Sequence, residues 1–222
     1  MKKLIPLFIL GAAFGVVEGS VVVYLRPLLN EGMDFSIRVL QPGMLNEVQM
    51  TAVSTEVMRE AATLVLLAAA AATAAGSFWY WACYFVFTFA VWDIFYYIWI
   101  AIRIGWPASL FDWDILFLIP VMWFAPVIVP LAISLAGIII ALTAVRALDL
   151  NGTVRPLPRH WVPVTAALVL WQVSFVNNSS PEMTGFPESY SWGLFWAGMA
   201  LCLFSAVMIY RDFVLHANIR SS

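Results

Sequence analysis

Charge is what this sequence has least of. Of 222 residues, 11 are Lys or Arg and 13 are Asp or Glu, so 11% are charged while 63% are hydrophobic. Soluble domains run near half apolar and about a quarter charged, which excludes a water-soluble fold: a chain of this size could not hide so much apolar surface. Basic runs and aromatic–basic platforms are missing and the formal charge is −2, so no nucleic acid is expected as a partner. Cysteine is scarce too. Cys83 and Cys202 sit in apolar segments without C-x-x-C spacing, and thiols so placed act as small hydrophobes. The two histidines, His160 and His216, are expected on the cytoplasmic side, away from the acid cluster described below, and no membrane helix carries a His pair. That argues against a bis-His haem and against zinc with imidazole ligands. G-x-S-x-G, Walker A, H-E-x-x-H and C-x-x-C-H are all absent, so the sequence names no cofactor.

Long apolar runs are what the chain does have. Spanning a bilayer takes about 20 consecutive apolar residues, and six segments qualify, over residues 4–25, 48–75, 78–102, 115–145, 161–176 and 192–214. The fold class expected is therefore all-α: a polytopic integral membrane bundle of about six transmembrane helices, forming one transmembrane domain over residues 1–222. The opening Met-Lys-Lys resembles a signal-peptide start, but the run continues to residue 25 without an A-x-A site and reads as a retained helix. The fourth segment contains Pro120, Pro126 and Pro130 and is expected to be a helix kinked in its first half. Many of the 11 Trp fall near segment ends, as interfacial anchoring favours.

Orientation follows from the bases. With the N-terminus inside, the cytoplasmic segments hold Lys2, Lys3, Arg146, Arg155, Arg159, Arg211 and Arg220, while the outer side holds Arg26, Arg38 and Arg103. That asymmetry favours both termini in the cytoplasm, and a plasma (inner) membrane is the expected location. The outer connections collect acids: Glu31, Asp34, Glu47, Asp112, Asp114, Glu182 and Glu188. Asp112 and Asp114 would line a negative outer vestibule that draws cations. Solvated loop charge is the plainer explanation, and for Asp112 a capping role with Ser109 is plainer still.

Five charged residues fall well inside the spans, away from their ends: Glu18, Glu56, Arg59, Glu60 and Asp93. Each costs roughly 2.5–3.5 kcal/mol near the bilayer centre, so such groups face the protein interior and pair with one another. Glu56, Arg59 and Glu60 share one helix face by i, i+3, i+4 spacing, and Asp93, Tyr96 and Tyr97 repeat that spacing on the next helix. At 1.5 Å per residue, Glu18, Glu56, Glu60 and Asp93 lie roughly 10, 12, 18 and 14 Å from the outer ends of their helices. All four carboxylates thus occupy the outer half. Gly11, Gly15 and Gly19 form a small-residue stripe beside Glu18, and the Ala-rich inner half of the second segment would pack as closely.

Four acids and one Arg cannot all stay charged in a dry site; the surplus must bind a cation, share protons or go neutral. An all-oxygen site suits a hard ion or a proton, though the spacing specifies no metal. The bland alternative is a buried network fixing helix register, with Arg59 paired to Glu56 or Glu60 and Asp93 bonded to Tyr or Trp. Three functions remain open. The first is cation- or proton-handling transport, in which a homo-oligomer would supply the internal repeat this chain lacks. The second is an accessory subunit bound to other membrane subunits through the glycine stripe. The third is a membrane-embedded enzyme acting on a lipid or isoprenoid, with Glu60 or Asp93 as general acid/base and Arg59 holding an anionic head group. In each case the lipid bilayer is the immediate partner.

Overall fold

The computed structural model describes residues 2–30, 45–151, 158–177 and 186–220, the last stretch by backbone alone from 213. Glu31, Asp34, Arg38, Arg155 and Glu182, and the side chains of His160, His216 and Arg220, lie outside the described residues. Six helices follow in order: α1 Leu4–Leu29, α2 Glu47–Ala74, α3 Phe78–Ile104, α4 Ile128–Asn151, α5 Pro158–Val176 and α6 Trp192–Arg220. Five of them are long and apolar enough to cross a membrane; the apolar stretch of α5, Trp161–Val176, is shorter. Their outward faces carry large apolar residues such as Ile5, Ile9, Val65, Ile139, Val169 and Phe204. In water such surface would drive association. In lipid it is the ordinary exterior of a helix bundle.

Local chemistry sets the helix ends. Asn46 opens α2 with a capping box: its side chain accepts from Gln49 N at 2.9 Å, and Gln49 Oε1 accepts from Asn46 N at 3.1 Å. The Gln49 amide also donates to Leu29 O at 2.8 Å, satisfying an orphan carbonyl where α1 ends. Gly105 closes α3 with a left-handed φ of 67°, a conformation glycine adopts without Cβ strain.

The expected fourth span is corrected. Residues 115–126 are not helical: β1 (Trp113–Phe117) and β2 (Trp123–Pro126) form an antiparallel hairpin between α3 and α4, with a register shift between Ile115 and Phe117. The kinked helix does not exist. Three prolines within eleven residues cannot support consecutive helical hydrogen bonds, whereas Trp113, Ile115, Phe117, Trp123 and Phe124 suit a strand. Pro120 lies in the turn, Pro126 ends β2, and Pro130 sits in the first turn of α4, where a missing N–H costs nothing.

Helix α1 lies against α3 along the glycine stripe. A Cβ on Gly11 would stand 2.8 Å from Thr88 O, and one on Gly15 only 2.7 Å from Trp92 O and 2.8 Å from Tyr96 N. On Gly19 it would meet Trp99 at 2.7 Å. Helix α5 packs on α6 in the same manner: Trp171 fits over Gly198 and its indole N–H donates to Phe195 O at 3.2 Å. Helix α4 joins the halves, packing on α3 and on α6. At the end of the bundle holding Lys3, the core closes around Leu7, Ala71, Tyr84, Phe87, Val91 and Val145, which includes the Ala-rich part of α2. The opposite end holds the hairpin.

Because backbone atoms flank Gly15, the α1–α3 pair has to move apart to admit a methyl group. Gly15→Ala is expected to cost about 2 kcal/mol, within the range for overpacking. It will appear as a lowered Tm in detergent, whereas Gly193→Ala, where a Cβ meets nothing within 4 Å, leaves Tm unchanged or raises it.

Candidate functional site

Glu18, Glu56, Glu60 and Asp93 all line one cavity of about 350 Å³. Asp114 joins them as a fifth carboxylate, drawn inward by the hairpin instead of standing in a vestibule. The remaining wall is largely aromatic, from Phe89, Trp92, Tyr96 and Tyr97 on α3, Phe117 and Trp123 on the hairpin, and Trp171 and Phe175 on α5. Such a site, apolar with a few convergent polar groups, has the size and character of a small-molecule pocket.

Arg59 organises the α1–α2 side. Its guanidinium donates to Glu56 through Nε at 2.8 Å and Nη2 at 2.5 Å, and reaches across to Glu18 on α1. Nη1 also donates to Thr63 Oγ1 at 3.2 Å. The expected pairing was with Glu56 or Glu60; Glu56 is used, and Glu18 takes the place expected of Glu60. The i, i+3 relation lets Arg59 fork onto Glu56 without bending the helix. Glu60 turns instead toward the hairpin and accepts from Leu118 N at 2.9 Å. That bond answers a requirement of the hairpin. A non-helical backbone among apolar helices is tolerable only if its N–H groups find acceptors inside the protein.

Asp93 was expected to bond to a Tyr or Trp donor. Its partner is Ser134 on α4, whose hydroxyl donates to Oδ2 at 2.8 Å. Tyr97 donates to Asp114 Oδ2 at 2.8 Å, and Tyr96 lies in the wall with its ring against Tyr97. Asp114 also faces Arg26, with Nη2 to Oδ1 at 3.9 Å, and the Arg26 guanidinium lies 3.9 Å above the Trp106 ring. This Arg26–Asp114–Tyr97 group closes the hairpin end. Sequence reading missed Arg26, which was assigned to a loop because the apolar run ends at residue 25; α1 continues to Leu29 and buries it. Asp112 stays out of the cavity. It accepts from Ala108 N at 2.7 Å and Ser109 N at 3.0 Å, capping a turn, not a helix.

Known proteins contribute no identity. No family model, curated protein or solved structure significantly matches the chain. The site must be read from its own geometry.

Five lining carboxylates meet two guanidinium groups, so full ionisation would leave three negative charges uncompensated. Glu60 and Asp93 form no salt bridge among the described residues, and each has one carboxylate oxygen with no hydrogen bond there. Nor do any three Asp, Glu, His or Cys among the described residues form a metal-binding group. The arrangement suits protons or a diffuse organic charge better than a compact divalent ion, which needs several oxygens at bonding distance.

Removing Arg59 strands two buried acids, Glu18 and Glu56. Arg59→Leu should destabilise the chain by about 3–5 kcal/mol, as for other broken buried pairs. Glu18→Gln and Glu56→Gln added to Arg59→Leu should recover most of the loss, read as the Tm of the triple variant against the single one. A triple variant no more stable than Arg59→Leu would show that the network holds little of the α1–α2 contact.

Proposed function

We propose that this chain is a multi-pass integral membrane protein, with both termini in the cytoplasm, that handles a proton or cation at the carboxylate cavity as part of a transport activity. One observation carries the reading: Glu60 and Asp93 line the same cavity as the carboxylates that Arg59 already satisfies, and have no salt bridge of their own among the described residues. A carboxylate in an apolar interior is costly unless it is protonated or matched by a positive charge. Two such groups in one cavity therefore form a place where a proton or a cation can be exchanged.

The groups facing them are few. Around Glu60 stand Glu56 and Arg59 from α2, Glu18 from α1 and the Leu118 backbone of the hairpin. Around Asp93 stand Ser134 from α4, Asp114 from β1, and Tyr96 and Tyr97 from its own helix. Neither set supplies a spare cation. Burial of Arg26 in α1 leaves Arg103 as the exposed base at the hairpin end among the described residues, while Lys3, Arg146, Arg159 and Arg211 are exposed toward the other end. This bias supports a cytoplasmic Lys3 end by the positive-inside rule.

Liposomes loaded with a pH-sensitive dye provide the test. Reconstituted protein is expected to dissipate an imposed pH gradient faster than empty liposomes, and Glu60→Gln or Asp93→Asn to slow that by about tenfold, the scale on which proton-transfer groups act. Equal decay in empty liposomes, or in both variants and the parent, would overturn the reading.

A further inference from the structure

We propose that the occupant of this cavity is a lipophilic ammonium ion: an organic amine with an apolar body and a hydrogen-bond acceptor, reaching the site sideways from the bilayer. The inference rests on the exchange site proposed above and names the class of ligand that site takes.

Three independent observations converge on it. The first is access. Helix α2 packs on α3 and α1, and α5 packs on α6 and β2, but α2 and α5 do not pack closely on each other. The cavity is lined on the α2 side by Glu56 and Glu60 and on the α5 side by Leu168 and Gln172, each pair one helical turn apart. Leu168 lines the cavity and is also 56% exposed, so the α5 wall of the cavity reaches the apolar exterior of the bundle, and we place the way in there. Leu168 lies roughly 12 Å from the end of α5 at Val176, well within the apolar depth. A ligand using this path must be soluble in hydrocarbon.

The second is the pairing of charge with aromatic rings. Glu60 and Asp93 have no salt bridge among the described residues, and aromatic rings line the same cavity. Phe117 on the hairpin sits among Phe89 at 6.5 Å, Trp92 at 6.4 Å and Trp123 at 5.3 Å between ring centroids. Aromatic walls with carboxylates bind alkylated ammonium groups through cation–π attraction and charge together. They do not provide the ordered oxygen shell that a small metal ion needs to replace its water.

The third is an unmatched donor. Trp92 lies in the cavity wall at 6% exposure, and its indole N–H has no acceptor among the described residues; neither has that of Trp123, which also lines the cavity. Buried donors are almost always paired. An ester, ether or carbonyl oxygen on the occupant would complete the set, which is why the ligand class includes an acceptor. The cavity volume of about 350 Å³ holds one such molecule and not a whole phospholipid.

Tetracaine, a lipophilic amine carrying an aromatic ester, is a suitable probe, and butyl 4-aminobenzoate is its neutral counterpart. Calorimetric titration of the full chain in detergent, corrected for empty micelles, should show saturable binding of one tetracaine and none of the neutral ester at the same concentrations. The Glu60→Gln/Asp93→Asn double variant should lose affinity by about tenfold or more, a reasonable cost for removing the charge partner of a buried cation. Leu168→Trp, on an exposed position that does not disturb the fold, should slow association several-fold by narrowing the opening. Equal binding of the neutral ester, or unchanged tetracaine affinity in the double variant, would overturn the proposal. Gradient dissipation that survives while tetracaine fails to bind would overturn the ligand class and leave the proton site standing. Loss of both would remove the site itself.

Discussion

Every charge and every non-helical N–H buried in this bundle has to be answered from within the protein, because the helix faces around it are largely hydrocarbon. Arg59 is the group on which that constraint turns. It binds Glu56 on its own helix and Glu18 on α1, and so ties the second helix to the tightly packed α1–α3 pair. With Arg59 committed in this way, Glu60 bonds to the hairpin, while Asp93 is held by Ser134 on α4. The chemistry of the cavity is the remainder after structural demands have been met.

The hairpin is the most demanding element. A β-ribbon among apolar helices exposes backbone that lipid cannot satisfy. It is tolerated here because the ladder pairs part of it, Glu60 takes Leu118 N, and Val127 N and Ile128 N bond back to Asp112 O at 2.9 Å and Leu110 O at 2.8 Å. Phe117 and Trp123 then face the aromatic rings of α3 and α5, with Trp123 lying 5.7 Å from Phe175. The hairpin thus couples the two halves of the bundle through ring packing and one carboxylate. A ligand competing for Glu60 would act on that coupling.

Much of this was legible in the residues. The ends of α2, α3, α5 and the start of α6 follow from where apolar runs meet Asn46, Gly76, Gly105 and the polar loops. Counting 1.5 Å steps brought Glu18, Glu56, Glu60 and Asp93 to similar heights, and the four line one cavity; the glycine stripe announced the close approach of α1 to a neighbour. The hairpin was not legible from hydropathy. A buried strand and a buried helix segment look alike to an average over apolar residues, and only Pro120, Pro126 and Pro130 argued otherwise. Partners across the fold were equally hidden: nothing local in Asp93 indicates Ser134, and nothing in Arg26 indicates Asp114 and Trp106. Such choices are made by tertiary packing.

Carboxyl protonation is the quantity at the centre of this account. Infrared difference spectra of the full chain in lipid nanodiscs, taken between mildly acidic and alkaline pH, read it directly through the C=O stretch of a protonated acid. A band from a buried, protonated carboxyl group that vanishes on raising the pH, and that weakens in Glu60→Gln and in Asp93→Asn, is the predicted result. A spectrum without such a band, or one that both substitutions leave unchanged, would contradict it.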